Sequence, residues 1–201
     1  MEPASEPRAD ASRHGAPREP VAPSSADPAD LAAVARQLGR EPRGVVAVAH
    51  RCRCGLPDVV RTEPRLPDGT PFPTTYYATC PRLTGALSTL ETSGVMREMQ
   101  ARLAGDPALA AAYRQAHARY LADREALGTV PEIAGISAGG MPDRVKCLHV
   151  LVAHALAAGP GVNPLGDEAL ALLAEWGMQD PCVAPAPTLV ADGATDDGGS
   201  P

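Results

Sequence analysis

The apolar pattern of this chain changes period once. Between Val45 and Cys80 apolar residues alternate in short runs, and after Pro81 they recur every three or four residues. A period of two belongs to strands and a period of 3.6 to helices. The spacing therefore predicts an α+β fold, a small antiparallel three-stranded sheet followed by about five packed helices. Val46, Val48, His50 and Cys52 fall on one face of a first strand over Val45 to Cys52. Cys54-Gly55-Leu56-Pro57 turns the chain into a second strand, Asp58 to Glu63, and a loop with Asp68-Gly69 at its tip leads to a third, Thr74 to Cys80. Connections this short favour an up-down-up meander. The first and third strands then run the same way, so Cys52 and Cys80 reach the same end of the sheet, where Cys54 sits in the turn.

A short amphipathic helix, Leu31 to Arg40 with Asp30 as its cap, precedes the sheet. Behind Pro81 the periodicity predicts helices over Arg82 to Glu91, Val95 to Ala104, Pro107 to Gly128, Pro142 to Ala158 and Asp167 to Trp176. Residues 1–30 and 180–201 hold Pro, Ala, Ser and charge with no apolar period, and read as disordered tails around one globular domain, 31–179. Of the formal charge of −6, the two ends carry −3 and −4 and the middle +1. The acidity thus belongs to the ends and says little about what the folded part binds. No apolar run is long enough to span a bilayer, and no basic-then-apolar leader opens the chain. A cytoplasmic, reducing location is expected, where cysteines serve as thiols or metal ligands rather than disulfides.

Reactive residue types concentrate in two stretches. One is His50 to Cys54, and the other is Gly135 to Gly161, with the sole lysine, Lys146, beside Cys147, His149 and His154. On a continuous helix Cys147 and His154 stand seven residues apart, about 10.5 Å of rise, too far to share one ion. Cys147 and His149 can converge only if the first turn of that helix is irregular. The leading expectation is a metal-binding domain whose thiolate-rich site uses Cys52, Cys54, Cys80 and Cys147, with His50 or His149 as substitutes. Zinc is preferred, and an iron–sulfur cluster is the alternative, because the spacing lacks a cluster motif. The bland reading makes these cysteines small buried hydrophobes.

A second expectation is a binder or enzyme for an anionic small molecule, its partner held by Arg51, Arg53, Arg82, Arg144 and Lys146. The 137–144 loop would offer a helix N-terminus to the anion, with Cys147 or His149 doing acid–base or nucleophilic work. The spacing of a P-loop is absent, and arginines paired with surface acids are the bland reading. A third expectation is a non-catalytic interaction module. There is no GxSxG. One Phe, four Tyr and one Trp leave few stacking platforms for nucleic acid. Asp167-Glu168 reads as a helix cap, and Cys182 falls in the acidic tail.

The segments RQLGREPRG, VAHRCRCGLP, PRLPDGTPFPTTYYATCPRL, LETSGVMREMQ and GGMPDRVKCLHVLVAHALAAGPGVNPLGDEAL together resemble domain of unknown function family 501, mainly actinobacterial. The resemblance runs from about Leu31 to Trp176. It implies no reaction, cofactor or functional residue.

Overall fold

The computed structural model describes residues 23–173 and 176–184. The tails expected over 1–30 and 180–201 lie mostly outside the described residues. β1 (Ser24–Ser25), β2 (Val45–Arg51), β3 (Pro57–Thr62) and β4 (Tyr76–Ala78) form one antiparallel sheet in chain order. The expected meander is present as β2-β3-β4, and β1 makes the sheet four-stranded rather than three-stranded. Its two serines pair through backbone alone, Ser24 with Val48 and Ser25 with Ala47. No side-chain period marks such a short polar strand, so the pattern could not find it.

Six α-helices stand among the described residues, one between β1 and β2 and five after β4: α1 (Pro28–Leu38), α2 (Pro81–Thr92), α3 (Val95–Gly105), α4 (Pro107–Glu125), α5 (Leu148–Ala158) and α6 (Pro164–Leu172). α1 starts three residues earlier than expected, because Asp27 rather than Asp30 is its cap. Asp27 and Asp30 each accept the other's backbone N–H, a reciprocal capping box. Asp106 caps α4, accepting from Ala108 and Leu109 N–H at 2.9 and 3.1 Å. α6 is capped by Asn163, whose side chain accepts from Gly166 N–H, so Asp167 stands in the first turn.

α5 is the hub. It packs against β2, β3, β4, α2 and α6, and Leu148, Leu151, Val152, Ala153 and His154 are fully buried along it. An apolar helix without a polar face can be satisfied only by neighbours on every side. Its start moves, however. Residues 142–147, expected as helix, form turns and extended chain, and Cys147 is the N-cap with φ −157°. Glycines 139 and 140 permit this loop, both at positive φ. A Cβ on Gly140 would meet the Arg144 carbonyl oxygen at 2.6 Å, so the left-handed backbone and the close approach both require glycine. In β2 the alternation fails where the β2–β3 register shifts, at three places between Val45 and Arg51. Val48 and Ala49, neighbours in sequence, are both buried as a result.

Candidate functional site

Two clusters of reactive side chains form, on different partners. The first lies between α2 and the N-terminus of α5, where Glu91, Cys147 and His149 place one ligand atom each within 4.8 Å of one another. Cys147 reaches His149 because it stands outside the helix in extended conformation, the irregular first turn that the spacing required. The imidazole is held at both nitrogens. Nε2 donates to the Thr84 carbonyl at 3.2 Å, and Nδ1 faces Glu91 Oε1 at 3.2 Å. Thr84 and Glu91 are seven residues apart on α2, two turns along one face. Glu91 Oε1 also accepts the Leu148 N–H at 2.6 Å, capping α5 from a neighbouring helix. The Cys147 side chain, with Glu91 reinforcing it against the opposing effect of burial, raises His149 to about 9.

Glu91 was not singled out by sequence reasoning. A signal existed: it is an acid in the last turn of α2, a turn with no basic residue. There the helix dipole disfavours a carboxylate. A local rule broken in this way marks a group held for another purpose. Cys147 and His149 line a cavity of about 480 Å³ whose walls include Gln37, Tyr76, Thr79 and Thr84.

The second cluster is at the end of the sheet. Cys52 and Cys80 are buried in the core there, and Cys54 and Cys182 pack against it; Gln37 Nε2 donates to Cys182 Sγ at 3.3 Å. Cys147 stands apart from these four and keeps company with Glu91 and His149. All five cysteines are free thiols. Burial pushes the Cys80 thiol up to about 12 and raises Cys52. Burial raises Cys54 too, but hydrogen bonds from the Leu56 and Cys182 backbone and the neighbouring thiols outweigh it, and the net direction is down.

His50 sits on β2 with Nδ1 2.7 Å from Oδ1 of the fully buried Asp58. The expected anion set takes up different roles. Arg51 forms a paired contact with Asp30 at 2.7 and 2.8 Å and donates to the Gly55 carbonyl. Arg82 donates to the carbonyls of Asp180 and Pro181. In the 137–144 loop and just beyond, the Arg144, Val145 and Lys146 N–H groups are bonded to Gly140, Gln100 and Gly139. Arg144 and Lys146 are exposed beside them, and Arg53 lies near Gly177.

Fold and site together define a mixed α/β protein with a carboxylate–thiol–imidazole cluster at a cavity. The family model described as "Protein of unknown function (DUF501)" matches residues 48–171, and the chain belongs to that family. No curated protein and no solved structure matches the chain. Among the described residues no helix is long and apolar enough to cross a membrane.

Proposed function

We propose that this chain is a zinc-binding protein with an open centre at Glu91, Cys147 and His149, which holds a small polar ligand in the adjoining cavity. The observation that carries this reading is the convergence of the three ligand atoms within 4.8 Å of one another. Zinc takes thiolate, imidazole and carboxylate together, and a site with three protein ligands keeps its fourth position for a small molecule. The Thr84 carbonyl supplies the outer contact that a ligating imidazole needs: it keeps the proton on Nε2 and turns the Nδ1 lone pair inward. One carboxylate, one thiol and one imidazole do not suit an iron–sulfur cluster, which is held mainly by thiolates.

A metal-free reading, with Cys147 as nucleophile and His149 as base, draws support from the raised His149. It needs the base to meet its nucleophile at one nitrogen and its orienting group at the other. Here Thr84 occupies Nε2, and Nδ1 alone remains open to both Glu91 and Cys147. Convergence on one ion accounts for that geometry better.

The test is zinc content of protein purified under reducing conditions without a chelating tag. Cys147→Ser should remove one equivalent, and Glu91→Gln should weaken that equivalent by more than the 10–100-fold typical of an outer contact. Zinc loading that Cys147→Ser leaves unchanged overturns the reading.

A further inference from the structure

Among the described residues β4 is an edge of the sheet, with β3 on one side of it and no strand on the other. Two hydrogen bonds at its ends fix which backbone groups face outward. Thr62 N–H donates to the Thr75 carbonyl and Thr79 N–H to the Asp58 carbonyl, both at 2.9 Å. Bonded and unbonded pairs alternate along an antiparallel ladder. Val60 with Tyr77 is therefore a bonded pair, while Val59 with Ala78 and Arg61 with Tyr76 are not. The Tyr76 carbonyl and both backbone groups of Ala78 point away from β3, and no hydrogen bond to a described residue takes them up.

Such an edge pairs with another chain unless charge, proline or a covering element prevents it. Thr74 to Thr79 carries no charge and no proline, only β-branched, aromatic and small side chains. Open space lies along it on both faces. The cavity of about 480 Å³ that Cys147 and His149 line is also walled by Thr74, Tyr76 and Ala78. A second cavity, of about 500 Å³, lies over Val45, Val60, Leu66 and Phe72, on the face to which Tyr77 turns. Leu38 and Tyr77 line both, so the two adjoin at the strand edge. Arg40, Arg43 and Glu41 are the charged residues of the second cavity, which leaves it a basic excess. Arg43 is paired with Asp68, whereas Arg40 is exposed and makes no ion pair among the described residues.

We propose that the free edge of β4 is the docking site for an extended peptide, which adds to the sheet as a further strand. Its backbone pairs with Tyr76 and Ala78, and its side chains alternate between the two faces. The side chain opposite Tyr77 enters the cavity at Phe72 and is apolar. The next on that face, two residues on, is acidic and meets Arg40. The residues between them pass Cys147 and His149 on the other face. A polar group of the peptide is then the ligand that the open centre holds, a point that rests on the zinc reading, whereas the docking does not.

The probe is a pool of acetylated hexapeptides with leucine second, aspartate fourth and the other positions varied, added to the full chain. Hydrogen exchange should find the Ala78 amide unprotected before addition and slowed after it. N-methylation of the first, third and fifth residues should weaken binding by about tenfold or more, the scale of lost hydrogen bonds. The same change at the second and fourth should leave binding intact, because those N–H groups point away from β4. Arg40→Ala should weaken binding roughly threefold, as loss of an exposed ion pair does. Binding should persist when a chelator removes zinc, so failure of the zinc reading leaves the docking in place; binding that vanishes with the zinc overturns the edge as its source. Equal loss in the two methylated series overturns the proposal, as does an absence of binding at about 1 mM peptide. An Ala78 amide already protected in the free protein overturns it too, since the edge is then covered by the chain itself or by a second copy.

Discussion

His154 is carried by α5 into the centre of the core, stacked on Tyr76 with centroids 5.7 Å apart and edge-on to Tyr120 at 5.2 Å. Asn163 Nδ2 donates to its Nδ1 at 3.3 Å, which places the ring proton on Nε2, an atom without a partner. Burial holds the imidazole down at about 4, against about 6.5 in an unfolded chain. Between these two values the unfolded state binds the extra proton and the folded state does not. Stability is therefore full above about 6.5 and falls as pH drops toward 4, by an amount on the order of 3 kcal/mol. Urea unfolding across that range should show the slope, and His154→Phe should flatten it. An unchanged slope would mean that other groups carry the acid sensitivity. The residue was visible in the sequence as one of two histidines on an apolar helix. That it serves as a neutral packing group, while His149 five residues earlier meets a thiol and a carboxylate, depends on what α2 and β4 bring to each side.

At the scale of elements, α5 and α6 approach each other closely at Gly166. A Cβ on Gly166 would stand 2.2 Å from the Leu151 carbonyl oxygen and 2.9 Å from Ala155 Cβ. Gly166→Ala should cost at least the 1–3 kcal/mol typical of overpacking, roughly, since backbone cannot move aside as a side chain can. Thermal unfolding measures it, and a neutral result would show that the two helices can separate. The same contact positions Asn163, which caps α6 and bonds His154 at once. Helix positions were legible wherever Pro, Asp or Gly punctuates the period, as at Asp106-Pro107. The start of α5 was not. Val145 and Leu148 continue a helical pattern, yet Gly139 and Gly140 bend the chain back until Arg144 N–H meets the Gly140 carbonyl and Lys146 N–H the Gly139 carbonyl. That non-helical entry frees Cys147 to approach His149. Propensity yielded to loop closure, and the candidate site exists because it did.

At the scale of the whole molecule, the two clusters should behave as separate units. In zinc-loaded protein, Cys147→Ser and Glu91→Gln should be non-additive, the double variant no less stable than the worse single, because the first loss already opens the site. Cys182→Ser with Cys147→Ser should add within about 0.5 kcal/mol, as independent sites do. Denaturant unfolding of the singles and both doubles measures these sums. Additivity between Cys147 and Glu91 would mean that the two side chains share no ion.

The sequence by itself determined a mixed helix-and-sheet class and the antiparallel meander β2-β3-β4. These follow from side-chain period and connection length, which are local properties. Tertiary structure decided the partners. Glu91 reaches Cys147 and His149 across chain separations of 56 and 58 positions, and Cys182 returns to Gln37 from beyond the last described helix. No period or spacing encodes such contacts, because they arise from which faces of α2, α5 and the sheet exclude water together.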